Sequence, residues 1–440
     1  MMSAMAPPRG HGSGALRIHL ASLGCAKNLV DSERLLARLA TAGALVGAPA
    51  EEADVVLVNT CGFIDPARRE SLAVIADYVA LKAERPDLKL FVLGCLVVRD
   101  GEALRRDLPA VDGFFGIDEH DAIARACGLA GEETGDTRLL LTPSHTAYLR
   151  IADGCDNRCS YCTIPSIRGS FRSRPADEIL AEARSLAALG VRELNLIGQD
   201  TTAYGKDIPG GPGIVGLLER LDAIDGVRWV RLLYAHPARL GDDLIRAYAR
   251  LEKLVPYVDL PLQHASDRIL SAMGRRVDRG AIGSLLSRLR EAVPEIALRT
   301  TFIVGFPGET DAEFAELIAF IEETRFDHVG AFAYSPEPGT AAAEMPNRVP
   351  PDVVAERLER LLAAQTVIVL ETNRARVGDV VDVLIDGSDG TPGVTIGRTA
   401  TQAPDVDPVT RVRGRQEQGT FVRARITGHS DLDLTATVVR

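Results

Sequence analysis

The chain has no uninterrupted apolar run approaching the roughly 20 residues that a membrane-spanning helix needs, so it does not read as a helical membrane protein. Its first fifteen residues, with Pro7, Pro8, Gly10, Gly12 and Gly14, lack the apolar core of a secretory signal. They read as a disordered leader, residues 1–15, and the protein is expected in the cytoplasm. An excess of positive charge is missing as well: the net charge is −11 and the pI about 5.4. An acidic surface repels a nucleic-acid backbone and suits a basic partner. There is no internal repeat and no low-complexity tract. Cysteine is scarce and odd in number, seven in 440 residues. Disulfides are rare in a cytosolic chain of this size, so metal binding is the better expectation.

With 46% hydrophobic and 25% charged residues the composition is that of a folded globular protein, and the length predicts two to four domains. Residues 16–130 alternate short apolar runs with helical stretches, as in a parallel α/β layer. Strands are expected at 17–23, 54–59 and 88–93, and helices at 28–42, with Leu35, Leu36 and Leu39 on one face, and at 66–84. Residues 131–146, opening on the polar stretch GEETGD, read as a linker. Residues 147–376 repeat strand then helix six times. The strands are expected at 148–152, 193–197, 229–233, 258–260, 298–304 and 328–332. The helices are expected at 176–189, 214–224, 242–254, 267–273, 279–292 and 311–323, with a long helix at 351–376. Six units are too few for a closed eight-fold barrel, so an open partial (β/α)6 barrel is predicted. Residues 377–440 change to short alternating strands, at 380–385, 394–398 and 421–426, as in a small β-barrel. There, seven arginines and no lysine face eight aspartates and one glutamate, a net charge of −2. The fold class is therefore α/β followed by a small β-barrel.

The sharpest chemical signal is Cys155, Cys159 and Cys162, directly after the first barrel strand. Three thiolates within eight residues can wrap one metal centre. A structural zinc site needs a fourth ligand, and no further Cys or His lies close in sequence. A 4Fe–4S cluster normally takes four thiolates; held by three, it keeps one iron open to a substrate. The second constellation is Cys25, Cys61 and Cys95, each one or two residues past a predicted strand. Parallel strand ends share one sheet edge, where ligands bind, and helix N-termini nearby favour thiolates. The alternative, that these are small buried hydrophobes, stands beside it. Cys127, at a predicted helix end, reads as structural.

The Cys-x3-Cys-x2-Cys spacing resembles the signature of the radical S-adenosylmethionine superfamily. Nearly the whole chain resembles the methylthiotransferases within it, which join a three-cysteine N-terminal domain, a radical barrel and a C-terminal TRAM domain. The segments that carry the likeness are GCDNRCSYCTIPSIRG at 154–169, PLQHAS at 261–266 and TFIVGFPGET at 301–310. They are most similar to the members that modify an aspartate of ribosomal protein S twelve, and His264 in PLQHAS bears most on that choice. The resemblance implies two 4Fe–4S clusters, an auxiliary one on Cys25, Cys61 and Cys95 and a radical one on Cys155, Cys159 and Cys162. It implies S-adenosylmethionine as co-substrate, cleaved to a radical that abstracts hydrogen from the aspartate β-carbon. It also implies a sulfur donor and a low-potential electron donor, flavodoxin or ferredoxin.

Barrel strand ends line such a cofactor pocket. Gln199 and Asp200 could bond the methionine or ribose part, or cap the next helix. Tyr161, Gln263, Arg299, Thr301 and Gly305 are further candidates for cofactor contact: Arg299 for a carboxylate, Gly305 for close approach to adenine, though a tight turn alone explains a glycine there. Two other functions remain open. One is methylthiolation of an adenosine in transfer RNA, for which exposed aromatics would be expected; the last barrel has one Phe and no Tyr or Trp, so RNA binding is not expected. The other is an iron–sulfur scaffold or electron carrier without catalysis.

Overall fold

The computed structural model describes residues 15–129 and 138–439. Apart from Ala15, the expected leader lies outside these residues, and so does the GEETGD part of the expected linker. Contacts divide the chain into two compact units, at Leu139/Leu140.

The first unit is a five-stranded parallel sheet. Its elements run β1 (Arg17–Ser22), α1 (Ala26–Thr41), β2 (Leu45–Val46), β3 (Val55–Thr60), α2 (Asp65–Glu84), β4 (Lys89–Gly94), α3 (Cys95–Asp107), β5 (Gly113–Phe115) and α4 (His120–Ala126). The strand order is β2-β1-β3-β4-β5. The central strand β3 is apolar at four successive positions because both its faces are covered. Val55 and Leu57 join Leu35, Leu39, Phe91 and Leu93 on one side, and Val56 and Val58 join Ile75, Leu90 and Val92 on the other. Sequence pattern missed the edge strands β2 and β5 and gave no bounds for the helices α3 and α4, although a helix end was expected at Cys127, the C-cap residue of α4. The edge strands are only two and three residues long, too short to carry an alternation. In α3 the apolar start Cys95–Val98 gives way to Arg99-Asp100-Gly101, where the helix is kinked at Asp100.

The second unit joins the two barrels. The first is built from β6 (Thr146–Arg150), β7 (Ala152–Asp153), α5 (Ile164–Arg168), β8 (Arg172–Ser173), α6 (Ala176–Ala188), β9 (Glu193–Ile197), α7 (Gly213–Asp222), β10 (Trp229–Leu232), α8 (Asp242–Arg250), β11 (Leu254–Asp259), α9 (Asp267–Ala272), α10 (Arg279–Ala292), β12 (Ala297–Val304), α11 (Asp311–Thr324), β13 (His328–Ala333) and α12 (Pro351–Ala375). Six parallel strands form one open sheet, in the order β6-β9-β10-β11-β12-β13. The largest apolar core lies between the sheet and its helices.

Two boundaries of the open barrel differ from expectation by four residues. Strand β11 begins four residues earlier than predicted and α8 ends at Arg250, because Pro256 sits inside the strand. Proline cannot donate to the ladder, and the pairing of β10 with β11 shifts register between Val230 and Leu232. The short antiparallel pair β7–β8 was not anticipated; it closes the base of the loop that carries Cys155, Cys159 and Cys162.

The second barrel is closed: β14 (Val380–Gly387), β15 (Val394–Thr399), β16 (Thr410–Arg413), β17 (Phe421–Ser430) and β18 (Asp433–Val438). Two of its five strands, β16 and β18, escaped the sequence pattern. The segment after β15 reaches the strand-start end of the open barrel. Tyr148 and Tyr257 donate to Asp405 (2.8 Å) and Asp407 (2.7 Å), and Arg231 donates to the Ala400 carbonyl (2.8 Å). The opposite, strand-exit end is left for chemistry.

Candidate functional site

In the first unit three cysteines follow three neighbouring strands. Cys25 is the N-cap residue of α1, Cys61 follows β3, and Cys95 opens α3. Their approach can be traced through two glycines. Gly24 has φ +88°, and a Cβ there would stand 2.6 Å from Cys61 Cβ and 3.0 Å from its Sγ. A Cβ on Gly62 would stand 2.8 Å from Leu96 Cα and 3.1 Å from the Cys95 carbonyl carbon. The turns of Cys25 and Cys61 thus touch, as do those of Cys61 and Cys95. Asn28 ties the group together: its amide donates to the Leu23 and Thr60 carbonyls (3.0 and 2.8 Å), and its Oδ1 accepts from the Cys95 thiol (3.4 Å). Ser71 holds the Cys61 backbone from both sides, accepting from its N–H (3.1 Å) and donating to its C=O (3.0 Å). Cys61 and Cys95 are buried and Cys25 is exposed.

In the second unit Cys155, Cys159 and Cys162 lie on the loop between β7 and β8. Gly154 (φ +70°) starts it where any Cβ would lie 2.1 Å from the Ser170 carbonyl oxygen, and Cys155 N–H donates to the Gly169 carbonyl (3.1 Å). The far side rests on the end of α9: Ser160 donates from its N–H to Met273 (3.0 Å) and from its hydroxyl to Ala272 (2.8 Å). Burial pushes the thiols of Cys155 and Cys162 up, Cys162 to about 12, and the cysteines add to this through each other's charge. The fit to a cluster rests on the donor set itself: three free cysteines on one short loop, the soft thiolate ligands that iron takes. The buried Cys61 and Cys95, in a turn cradle that leaves no room for a Cβ at Gly24 or Gly62, fit one equally. Among the described residues no three His, Cys, Asp or Glu side chains converge closely enough for a single metal ion. A cuboid cluster spreads its thiolates over its corners and requires no such convergence.

Asp200, at the exit of β9, is nearly fully buried and holds the cysteine loop. It accepts from Asn157 (2.9 Å) and Thr202 (2.6 Å) and pairs with Arg239, which also donates to Asn157 (2.8 Å). Gln199 donates to Asp153 (2.9 Å), and its Oε1 is buried with no hydrogen-bond partner. Tyr161 packs among Ile269, Met273 and Phe306. Gln263 takes a left-handed φ of 76° and bridges to β12, its N–H donating to the Thr301 carbonyl (2.8 Å).

Along β12, Thr300 and Phe302 are buried while Arg299, Thr301 and Ile303 are half-buried on the other face. Arg299 is already engaged, with Asp259 (3.1 Å) and Asp407 (3.3 Å), at the strand-start end. Its expected role against a cofactor carboxylate would require it to leave two carboxylates. His264 is fully buried, and burial lowers it to about 4, so it stays neutral and accepts from the Ser266 N–H (3.0 Å).

At Gly305 (φ +75°) a Cβ would stand 2.3 Å from Val354 Cγ2, on α12. Helix packing is therefore enough to require glycine there. The turn itself is held by Glu309, whose carboxylate accepts from the Gly305 and Phe306 N–H groups (2.7 and 3.3 Å). Gly305→Ala should destabilise the protein by about 2–3 kcal/mol through overpacking and the αL backbone. The Gly305→Ala/Val354→Ala pair should lose less than the sum of its single variants, as measured by denaturant unfolding.

Sequence reasoning missed Asn28, Asn157, His236, Arg239 and Arg275. His236 lies a few residues past β10, so the strand-end rule would have found it; burial, then the charge of Arg275, lower it to about 3. Asn28 and Asn157 follow a cysteine by three and two residues. Nothing in the sequence marks Arg275.

Comparison with known proteins bears on the whole assembly. Residues 149–321 match the Radical SAM superfamily, residues 17–116 an uncharacterized protein family, UPF0004, and residues 377–439 the TRAM domain. A protein of Geobacter sulfurreducens named ribosomal protein uS12 methylthiotransferase RimO is 45% identical, over 96% of this chain and 98% of its own. One of the same name from Geotalea uraniireducens is 46% identical, over 96% and 98%. The chain belongs to the radical S-adenosylmethionine methylthiotransferase family. It is an enzyme of that family, which works with S-adenosylmethionine and iron–sulfur clusters. Among solved structures, the radical S-adenosylmethionine methyltransferase TsrM of Kitasatospora setae superposes with a TM-score of 0.56 at 14% identity, covering 81% of this methylthiotransferase and 89% of the other chain. That likeness concerns the fold. Among the described residues no helix of the methylthiotransferase is long and apolar enough to cross a membrane.

Proposed function

We propose that this methylthiotransferase adds a methylthio group to the β-carbon of an aspartate in ribosomal protein uS12, in the cytoplasm. The observation that carries this reading is the 45% identity along 96% of the chain to enzymes named for that substrate. The two separate cysteine trios supply what the chemistry demands. In this reading residues 16–130 carry the auxiliary cluster on Cys25, Cys61 and Cys95. Residues 147–376 carry the radical cluster on Cys155, Cys159 and Cys162, and residues 377–440 serve substrate recognition.

When bound, the clusters and S-adenosylmethionine supply the sulfur, the electron and the power to take hydrogen from an unactivated carbon, which no side chain can provide. The protein's own groups position and exclude. Asp200, with Arg239 and Asn157, fixes the loop between Cys155 and Cys159. Gln199 Oε1, buried and unpartnered, is the acceptor open to the amino group of the methionine part. In the same reading Tyr161, Gln263, Thr301 and Gly305 are further contacts of the cofactor, while Arg299 is held by Asp259 and Asp407. A low-potential donor, flavodoxin or ferredoxin, and a sulfur donor complete the cycle.

Reconstituted enzyme incubated with uS12 and, separately, with transfer RNA tests the substrate. A gain of one methylthio group on the uS12 aspartate is expected by mass spectrometry; modification of RNA alone would overturn the reading.

A further inference from the structure

Among the described residues Arg275 is a buried cation without a carboxylate partner. Only 5% of it is exposed. Its Nη2 donates to the Pro261 carbonyl (2.5 Å), its Nε has no partner, and no ion pair involves it among the described residues. Its Nη1 points at Cys159 Sγ, 3.8 Å away. Two carboxylates beside the cysteine loop are already satisfied, Asp200 by Arg239, Asn157 and Thr202 and Asp153 by Arg150 and Arg168. His236 is neutral. A guanidinium cannot shed its proton, and burying one without a counter-charge is costly. The backbone holds it there: the Arg275 N–H donates to Leu270 (3.0 Å) just past α9, whose end carries the cysteine loop.

We propose that Arg275 is the counter-charge of the cluster on Cys155, Cys159 and Cys162 and sets how readily that cluster is reduced. The inference rests on the function proposed above. Net charge and hydrogen bonds at the sulfurs set the potential of such a cluster. A fixed cation directed at one thiolate favours the form with one electron more. Arg275 is thus a positioning residue that acts through the cluster.

The test uses the full chain with Cys25, Cys61 and Cys95 replaced by alanine, reconstituted anaerobically so that about four irons bind per chain. The midpoint potential is followed by electron paramagnetic resonance without S-adenosylmethionine. Arg275→Met should shift it to a more negative value, and Arg275→Lys should restore most of the shift. An unchanged midpoint in Arg275→Met overturns the proposal. If S-adenosylmethionine then binds more than tenfold more weakly, the arginine serves the cofactor carboxylate instead. Failure of the parent itself to take up iron would overturn the cluster assignment, and the proposal with it, whereas an unchanged midpoint in a loaded variant overturns the proposal alone. Should the Met variant not load, its iron-free form is compared with its parent in thermal melting. Loss of an unpaired buried charge predicts an equal or higher midpoint temperature; a marked fall would make Arg275 structural and refute the proposal.

Discussion

Replacing Cys25 by alanine should abolish methylthio transfer to uS12 while 5′-deoxyadenosine still forms from S-adenosylmethionine. Iron should fall from about eight to about four per chain if, as proposed, each trio holds one four-iron cluster. The expectation follows from the separation of the trios, one on the strand ends of the first unit and one on the β7–β8 loop of the second. Cys25 is the exposed member of its trio and the N-cap residue of α1 with no side-chain cap bond, so alanine there removes a ligand with little damage to the helix. Cys159→Ala is the counterpart: it should lose 5′-deoxyadenosine and product together. Chromatography of the nucleoside and mass spectrometry of uS12 read both. Normal sulfur attachment by Cys25→Ala would remove the auxiliary cluster from this trio.

Glu193→Gln should destabilise the second unit by about 3–5 kcal/mol, the cost of breaking a buried ion pair from one side. Glu193 is fully buried between two arginines, 3.1 Å from Arg231 and 2.7 Å from Arg398, and also accepts from Thr146 (3.0 Å). Arg398 reaches on to Asp386 (2.9 Å), which accepts from or pairs with His145 (2.9 Å). Glutamine keeps the shape but leaves Arg398 with Asp386 alone, and Arg231 with the Ala400 carbonyl and the Tyr257 ring in place of a carboxylate. Burial alone would raise the Glu193 carboxyl, but Arg398 and Arg231 outweigh it and hold it below its ordinary value. A carboxyl lowered on folding stabilises above its unfolded value, and that contribution is lost as pH falls through the folded one. The gap between parent and Glu193→Gln should therefore be full at pH 7 and narrow on acidification. Denaturant unfolding at both pH values measures it, and a gap that widens in acid would contradict the assignment.

This network also explains why the second barrel is no appendage. In sequence, residues 377–440 read as a separate acidic module. In the structure its Arg398, Asp405 and Asp407 close the strand-start end of the open barrel through Glu193, Tyr148, Tyr257 and Arg299. Charges far apart in the chain compensate each other there, and no local pattern carries that pairing.

The six-unit alternation and both cysteine trios were legible because each rests on local signals. Apolar runs such as Val55–Thr60 mark buried parallel strands, and a cysteine just past a strand lands on the sheet edge whatever the rest of the fold does. The strands β2, β5 and β16, two to four residues long, carry too few residues to show a period, and β18, six residues long, holds only small or polar residues between Leu434 and Val438. The role expected for Arg299 followed from strand alternation, which shows the face but not the partner. By itself the sequence determined the order of the layers, the two cysteine trios and their place at strand exits, since periodicity and spacing act within a few residues. Only the tertiary structure decided which charges meet: that Arg299 goes to Asp259 and Asp407, that Asp200 locks the cysteine loop, and that Arg275 is held by the Pro261 carbonyl with its other amino group towards Cys159. Electrostatic partners are chosen by proximity in space and by the loss of water around them, and neither is written along the chain.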